Sequence, residues 1–302
     1  MKNPWNSGWA LVLALLLGGC ATVPGTAVQT AGGRAVEYAV AGQGTPVVVF
    51  ENGLGGTLEW WAKVWPEVAR DTTVLAYNRA GYGKSEASSE ARDGAHIVEE
   101  LRALLRERGL APPYILVGHS LGGLYMQWFA RRYPQEVAAL VLVDSTHPHQ
   151  LKGAGAPQSW PWLLKWTFGV LSSETAKREL AAVDATGESV LGLAADPAVP
   201  VFVLSALRPM GVSSALADDA NRKRADIANL YPHARQVWVD SDHGIPLERP
   251  EAVVAAIREA MGGSPAFPVG CCGLPVTGPG LFCALAYNVA PPHPPGRPAE
   301  SQ

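Results

Sequence analysis

Residues 114–126, Tyr-Ile-Leu-Val-Gly-His-Ser-Leu-Gly-Gly-Leu-Tyr-Met, decide the fold of this chain. The apolar run before Gly118 is typical of a buried strand, and the pattern from Leu121 onward is that of a helix. Between them, residues 118–122 fit the G-x-S-x-G pattern of a sharp turn that presents a serine, where a Cβ on either side would clash. We therefore predict a strand, a turn carrying Ser120, and a helix whose N-terminal amides face that serine.

Apolar runs on either side of this stretch predict a parallel sheet that is buried on both faces. The segments 47–50 (VVVF) and 140–143 (LVLV) lack the alternation of a half-exposed strand, which suits central strands covered by helices. Apolar spacing predicts such a helix at 94–109. Further helices are predicted at 221–230 and at 249–261, the last with a proline near its first turn. Further strands are predicted at 27–30, 34–41, 73–78, 200–206 and 234–240, the first two as a hairpin.

Five motifs follow one another along the chain: ENGLGG at 51–56, NRAGYGKS at 78–85, GHSLGG at 118–123, LVD at 142–144 and DHGIP at 242–246. In this order and at about this spacing they resemble the α/β-hydrolase family, over residues 27–261. The resemblance implies an α/β fold with a mostly parallel central sheet, flanking helices and an inserted helical lid. Asn52 and Asn78 stand where the family usually has histidine and aspartate.

Composition divides the chain into five parts. We predict a signal peptide at 1–19, a tether at 20–26, a hydrolase core at 27–144 and 200–261, a lid insertion at 145–199, and a disordered tail rich in proline and glycine at 262–302. The insertion carries a crowd of large apolar side chains, which we interpret as a lid over an apolar pocket. The alternative is an amphipathic helix packed as ordinary core. The crowded residues are Trp160, Trp162, Leu163, Leu164, Trp166, Phe168 and Leu171.

The opening residues predict export from the cytoplasm. Lys2 precedes an apolar run at 10–17 that is too short to span a bilayer. The segment 17–20 (LGGC) resembles a bacterial lipoprotein cleavage box, which implies that Cys20 is lipidated. The protein would then be anchored to a membrane of the bacterial cell envelope, at the outer membrane or the periplasmic face. The alternative is a plain secretory signal followed by an incidental cysteine.

Charge and cysteine content exclude several classes of protein. With a formal net charge of −3, the chain has no basic excess to replace phosphate counterions, so nucleic acid is not an expected partner. No cysteine lies between residues 21 and 270, which excludes a disulfide scaffold and a cysteine–histidine zinc site from the core. Cys271, Cys272 and Cys283 in the tail are odd in number, so at least one is unpaired within a monomer. The oligomeric state stays open.

Ser120 and His243 are the predicted nucleophile and base. A serine hydroxyl attacks at neutral pH only when a base takes its proton, and imidazole has a pKa suited to that task. His243 follows the last predicted strand, where loops converge above the sheet. We assign the oxyanion hole to the backbone N–H groups of Leu54, in the glycine-rich loop, and Leu121, after the serine. The alternative for the first is that residues 52–56 are merely a turn.

The carboxylate that would orient the imidazole is less well determined by the sequence. The family most often supplies this acid after the strand at 201–204, yet residues 205–216 contain none. Asp144 ends the preceding strand, a position that some members resembling this chain use, and we predict it as the acid. The alternatives are Asp218, Asp219 and Asp226, and Asp144 would then cap the lid entrance.

The resemblance and the residues together predict a serine hydrolase that cleaves carboxylic esters of apolar character through an acyl-enzyme. Its substrate would be a small apolar ester, and the chemistry needs no cofactor and no metal. An aminopeptidase or a thioesterase is an alternative, because the same triad serves every acyl transfer. A peptidase would need a carboxylate in the lid pocket, for which Glu174, Glu179, Asp184 and Glu188 are available. A second alternative is a non-catalytic surface binding protein on a hydrolase scaffold.

Overall fold

A computed structural model describes residues 22–208 and 214–263 of the chain. The predicted signal peptide, the lipidation site at Cys20 and the three cysteines of the tail lie outside the described residues. One residue of the predicted tether at 20–26 packs against the core. Val23 is buried and packs among the apolar residues on one face of the sheet.

The described ranges form one sheet of eight strands in the order β1-β2-β4-β3-β5-β6-β7-β8. β1 pairs with β2 and β2 with β4 in antiparallel fashion, and the other neighbouring pairs are parallel. The predicted mostly parallel sheet and its N-terminal hairpin are therefore confirmed. The strands are β1 (Ala27–Ala31), β2 (Arg34–Ala41), β3 (Val47–Glu51), β4 (Val74–Tyr77), β5 (Tyr114–His119), β6 (Val137–Val143), β7 (Val201–Ala206) and β8 (Arg235–Val239).

Helices cover both faces of this sheet. They are α1 (Trp65–Val68), α2 (Gly94–Glu107), α3 (Leu121–Arg132), α4 (Trp162–Leu171), α5 (Glu174–Ala181), α6 (Val183–Gly192), α7 (Ala215–Asp226), α8 (Ile245–Glu248) and α9 (Pro250–Ala260). Short 3-10 helices lie at Leu58–Trp61, Pro134–Glu136, Gly153–Gly155, Pro157–Ser159 and Ile227–Leu230.

The strand β3 shows why the central strands need no polar alternation. Val47 and Val49 pack in the core formed with α2 and α3, whereas Val48 and Phe50 pack in the core formed with α1 and α9. Successive side chains of a strand point to opposite faces, so a strand covered on both sides is apolar throughout.

Parallel pairing brings the strand ends that matter to one edge. Along this edge Glu51 pairs with Gly118, His119 with Val143, and Ala206 with Val239. The loops that leave these strands therefore start side by side, which places the residues after β3, β5, β6, β7 and β8 within reach of one another.

The inserted segment 145–199 is helical but packs unevenly. Val183 and Val190 of α6 are buried in the core beside α3, and Glu179 of α5 is fully buried. α4 instead exposes Trp162, Leu163 and Trp166 by 77%, 53% and 58%. The alternative that α4 is an ordinary core helix is therefore wrong, while closure of a pocket by this segment stays a prediction. Within residues 22–208 and 214–263, none of the helices combines the length and apolarity needed to cross a bilayer.

The helix predicted at 221–230 begins six residues earlier in the structure. α7 starts at Ala215 because Ser214 caps it, with the Ser214 hydroxyl accepting a hydrogen bond from the N–H of Ala217 at 3.1 Å. The predicted end is split, since α7 stops at Asp226 and a 3-10 turn continues to Leu230. The other predicted strands and helices differ from the observed ones by three residues or fewer at each end.

Replacing Gly122 with alanine should destabilise the fold by about 3 kcal/mol or more, because overpacking against rigid backbone cannot relax cheaply. An added Cβ would lie 2.4 Å from the carbonyl oxygen of Asn52. Gly169→Ala is the matched control, since a Cβ there meets nothing within 4 Å and alanine favours a helix. Urea unfolding measures both, and equal stability of the two variants would show that α3 can move away from the loop after β3.

Candidate active site

Ser120 sits on a strained turn at the end of β5. Its φ of 52° and ψ of −123° are unusual for a residue with a side chain, and such strain persists only where the surroundings impose it. Here the N–H of Ser120 donates to the carbonyl of Val143 at 3.1 Å, and the carbonyl of Ser120 accepts from the N–H of Thr146 at 2.9 Å. The next strand and its loop thus hold the turn in place.

The glycines around Ser120 are required by close backbone contacts. A Cβ on Gly118 would lie 2.6 Å from the Cα of Gly123, and one on Gly122 would collide with the loop after β3. Gly53 of that loop faces the serine, because a Cβ there would lie 3.1 Å from the Cβ of Ser120. The turn, α3 and the glycine-rich loop therefore form one tightly packed unit.

His243 contacts Ser120 and Asp144 with its two ring nitrogens. Nε2 lies 2.9 Å from the hydroxyl oxygen of Ser120, and Nδ1 hydrogen-bonds with Oδ2 of Asp144. The histidine follows β8 and the aspartate ends β6, so both reach the same edge of the sheet. The structure therefore brings together the three side chains that the sequence predicts as nucleophile, base and acid.

Asp144 is buried and its charge is held by several groups. Its Oδ1 accepts from the N–H of Ala206 at 3.1 Å and lies 3.1 Å from Nε of Arg224 on α7. Burial alone would raise the pKa of the Asp144 carboxyl, but the hydrogen bond and charge of His243, with the Arg224 guanidinium, keep it below its ordinary value. The carboxylate is therefore ionised and aimed at the imidazole.

The other candidate acids occupy different surroundings. Asp219 lies 2.5 Å from Nζ of Lys223, and Asp226 lies 3.2 Å from Nε2 of His147. Asp218 is exposed in the first turn of α7. Asp144 is thus the one of the four predicted acids that the structure places against His243.

The predicted oxyanion donors belong to two segments that adjoin the serine. The N–H of Leu121 belongs to the first turn of α3, where backbone donors have no partner within the helix. Leu54 follows Gly53, which packs on Ser120. Asn52, in place of the family histidine, donates from its side chain to the carbonyl of Tyr77 at 3.0 Å and so ties this loop to β4.

His119 has a role that the sequence does not reveal. It is buried beside His243, and its Nε2 donates to the backbone carbonyl of His243 at 2.9 Å. The ring of Trp60 stacks on it with centroids 5.1 Å apart. Burial lowers the pKa of His119 to about 3, helped by the nearby His243. A neutral His119 therefore holds the loop that carries His243. The one signal for this residue in the sequence is its place as the middle residue of the turn motif.

A cavity of about 370 Å³ lies elsewhere, between the β1–β2 hairpin and α2. Arg34, Glu86, Glu99 and Glu100 are among its lining residues, and Ser120, Asp144 and His243 are not. The contacts among the three side chains, rather than the size of this cavity, identify the candidate site.

The arrangement has the parts needed for acyl transfer. A serine hydroxyl lies within hydrogen-bonding distance of an imidazole, and a buried carboxylate contacts the opposite ring nitrogen. The residue after the serine begins α3, whose first backbone N–H groups have no partner within the helix. Such a set can take a proton from the serine, stabilise the oxyanion that forms, and return the proton to a leaving group.

Comparison with known proteins agrees with the fold. A family model described as the alpha/beta hydrolase fold matches residues 46–190. The uncharacterized protein YbdG of Bacillus subtilis is 32% identical over 128 residues, which are 42% of this chain and 39% of that protein. An AB hydrolase superfamily protein of Gibberella zeae is 33% identical over 104 residues, which are 33% of this chain and 32% of that one. The chain thus spans about two fifths or less of the length of these two relatives.

A solved structure extends the likeness over most of the chain. The enol-lactonase of Burkholderia xenovorans has a TM-score of 0.53 and 19% sequence identity, covering 78% of this chain and 100% of that one. At this identity the likeness concerns the fold alone. The predicted α/β-hydrolase fold is therefore confirmed by the family model and by this structural likeness.

His119 should make the stability of the protein sensitive to acid. The pKa of His119 is about 3 in the folded protein and about 6.5 in the unfolded chain. The unfolded chain therefore binds the proton first, and the free energy of unfolding decreases as the pH is lowered from about 6.5 to about 3. From pH 7 to pH 4 this residue alone should cost roughly 3 kcal/mol of unfolding free energy. Urea unfolding of wild type and His119→Gln at both pH values measures the difference. The same loss in both proteins would refute this assignment.

Proposed function

We propose that this chain, which has the α/β-hydrolase fold, is a serine hydrolase that cleaves carboxylic esters with apolar groups through an acyl-enzyme. The observation that carries the proposal is the 2.9 Å contact between Nε2 of His243 and the hydroxyl of Ser120, with Asp144 on the opposite ring nitrogen. Three side chains from separate loops make this chain of contacts, which structural packing alone does not require.

The geometry supports a two-step reaction. His243 takes the proton as Ser120 attacks the ester carbonyl, and the N–H groups of Leu54 and Leu121 hold the oxyanion. His243 then gives the proton to the departing alcohol, which leaves an acyl group on Ser120. A water molecule, deprotonated by the same imidazole, releases the acid. Asp144 keeps Nδ1 protonated and balances the transient charge on the ring.

The carboxylates of the inserted segment are not arranged to bind the free amine of a peptide N-terminus, which favours an ester as the substrate. Glu179 is buried against Arg79, whereas Asp184 and Glu188 lie 3.8 and 3.4 Å from Nζ of Lys152. Glu174 is exposed at the start of α5. Each of the four carboxylates considered for amine recognition is therefore paired or solvated.

The apolar character of the substrate rests on the aromatic side chains of the inserted segment, which include Trp160 in contact with Phe168 at 6.2 Å between ring centroids. The same triad would serve a thioester, so the acyl chain and the leaving group have to be measured. Lipidation of Cys20 and attachment at the cell envelope remain part of the proposal, from the sequence alone.

Ser120→Ala should abolish hydrolysis and covalent labelling without unfolding the protein, because the hydroxyl is the nucleophile. We expect wild type to form a stoichiometric fluorophosphonate adduct at Ser120, found by peptide mass spectrometry, and to hydrolyse nitrophenyl esters of increasing chain length. A folded wild type that neither labels nor turns over would favour the non-catalytic binding alternative.

Asp144→Asn should lower kcat by about 10⁴-fold while the protein stays folded, because the amide leaves the imidazole in the wrong tautomer. Asp226→Asn is the matched control, since it makes the same change at a carboxylate that contacts His147. We expect its kcat to stay within about threefold of wild type. Comparable losses in the two variants, at equal circular dichroism, would remove Asp144 from the triad.

A further inference from the structure

The buried guanidinium of Arg79 contacts the loop that carries the predicted oxyanion donor. Its Nη1 donates to the carbonyl of Asn52 at 2.6 Å, and its Nη2 donates to the carbonyl of Gly53 at 2.9 Å. These are successive carbonyls of the segment between β3 and Leu54. One planar side chain thus fixes two neighbouring peptide groups.

The second of these contacts bears on the direction of the Leu54 N–H. The Gly53 carbonyl and the Leu54 N–H belong to one trans peptide, in which C=O and N–H point in opposite directions. Anchoring the carbonyl on Arg79 aims the N–H away from the guanidinium. Donation from a cation to the carbonyl also polarises the amide and strengthens it as a donor.

We propose that Arg79 is a positioning residue that aims the Leu54 N–H at the oxyanion, and that Glu179 from the inserted segment holds Arg79 in place. This inference rests on the proposed function, because an oxyanion forms only in acyl transfer. Arg79 itself touches no reacting atom. Its effect passes through the Gly53–Leu54 peptide.

The contacts of Glu179 explain how the guanidinium is held. Its Oε1 and Oε2 accept from Nε and Nη2 of Arg79, both at 2.9 Å, and Tyr82 donates its hydroxyl to Oε2 at 2.9 Å. Glu51 pairs with Nη1 from the opposite side at 2.6 Å. Burial alone would lower the pKa of Arg79, but the two carboxylates raise it well above its ordinary value. The cation therefore persists and its plane is fixed by four groups.

Lysine cannot reproduce this geometry. A guanidinium offers five N–H donors in a rigid fork, whereas an ammonium is a compact point charge with three. Arg79→Lys keeps the charge but cannot serve both loop carbonyls and both carboxylates. The Gly53–Leu54 peptide would then be free to rotate away from the oxyanion position.

Arg79→Lys should lower kcat for nitrophenyl esters by about 10- to 100-fold with KM changed by less than threefold, because the lost interaction acts only on the transition state. The affinity for an alkyl trifluoromethyl ketone, whose adduct on Ser120 carries an oxyanion, should fall by the same factor as kcat/KM. Rates are expressed per active site, counted from the end point of fluorophosphonate labelling, so that unfolded protein does not enter.

Arg92→Lys is the matched control. Arg92 is an equally buried arginine beside Glu179, at 3.9 Å, and its Nη1 pairs with Glu100 at 2.8 Å rather than with the loop carbonyls. We expect its kcat per site to stay within about threefold of wild type. Equal losses in the two lysine variants would overturn the proposal, since they would reflect general loosening of the buried cluster.

Glu179→Gln decides the question if Arg79→Lys does not fold. The amide keeps the shape of the side chain and one acceptor but removes the charge and one contact to Arg79. We expect kcat per site to fall about 5- to 10-fold at unchanged KM, and an unchanged kcat in the folded variant overturns the inference. Failure of the wild type to label or hydrolyse would instead refute the proposed function, so the two failures are distinguishable.

Discussion

The parallel pairing of β3, β5, β6, β7 and β8 is the constraint on which the candidate site depends. The carboxyl ends of parallel strands lie at the same edge of a sheet. Here the register pairs Glu51 with Gly118 and His119 with Val143, so the strands end at nearly the same height. The loops after β5, β6 and β8 each contribute one side chain of the site. The serine follows β5, the aspartate ends β6, and the histidine follows β8. The sheet thus brings together residues that are up to 123 positions apart.

Buried charges supply the precision that the sheet alone does not. Asp144 is fixed by Arg224 from α7, and the glycine-rich loop is fixed by Arg79. Removing a charged group from water is costly unless a partner and hydrogen bonds compensate for the lost hydration. Both arginines meet this condition, because Arg224 faces Asp144 and Arg79 lies between Glu51 and Glu179. These pairs orient groups around the site.

Local patterns account for what could be predicted from the sequence. The run VVVF at 47–50 and the glycines around Ser120 each occupy a few consecutive positions, so composition and spacing reveal them. The contacts of His119 with His243, of Arg224 with Asp144 and of Arg79 with Glu179 join residues that are 124, 80 and 100 positions apart. Neither member of such a pair carries a local signal of its partner, because register and helix packing decide which side chains meet. Asn52, which stands where the family usually has histidine, also makes such a distant contact, because its side-chain amide donates to the carbonyl of Tyr77.

Backbone strain is concentrated at the same edge. Ser120 and Asp144 are two non-glycine residues with positive φ, at 52° and 41°, and each such conformation costs of order 1–3 kcal/mol. Both are held by bonds from neighbouring strands, since Asp144 donates its N–H to the carbonyl of Leu204 at 2.7 Å and Ser120 donates to Val143. A free loop would relax out of either conformation. Because the doubly covered sheet cannot move without exposing its core, it can hold both residues in conformations that present one hydroxyl and one carboxylate to the same imidazole.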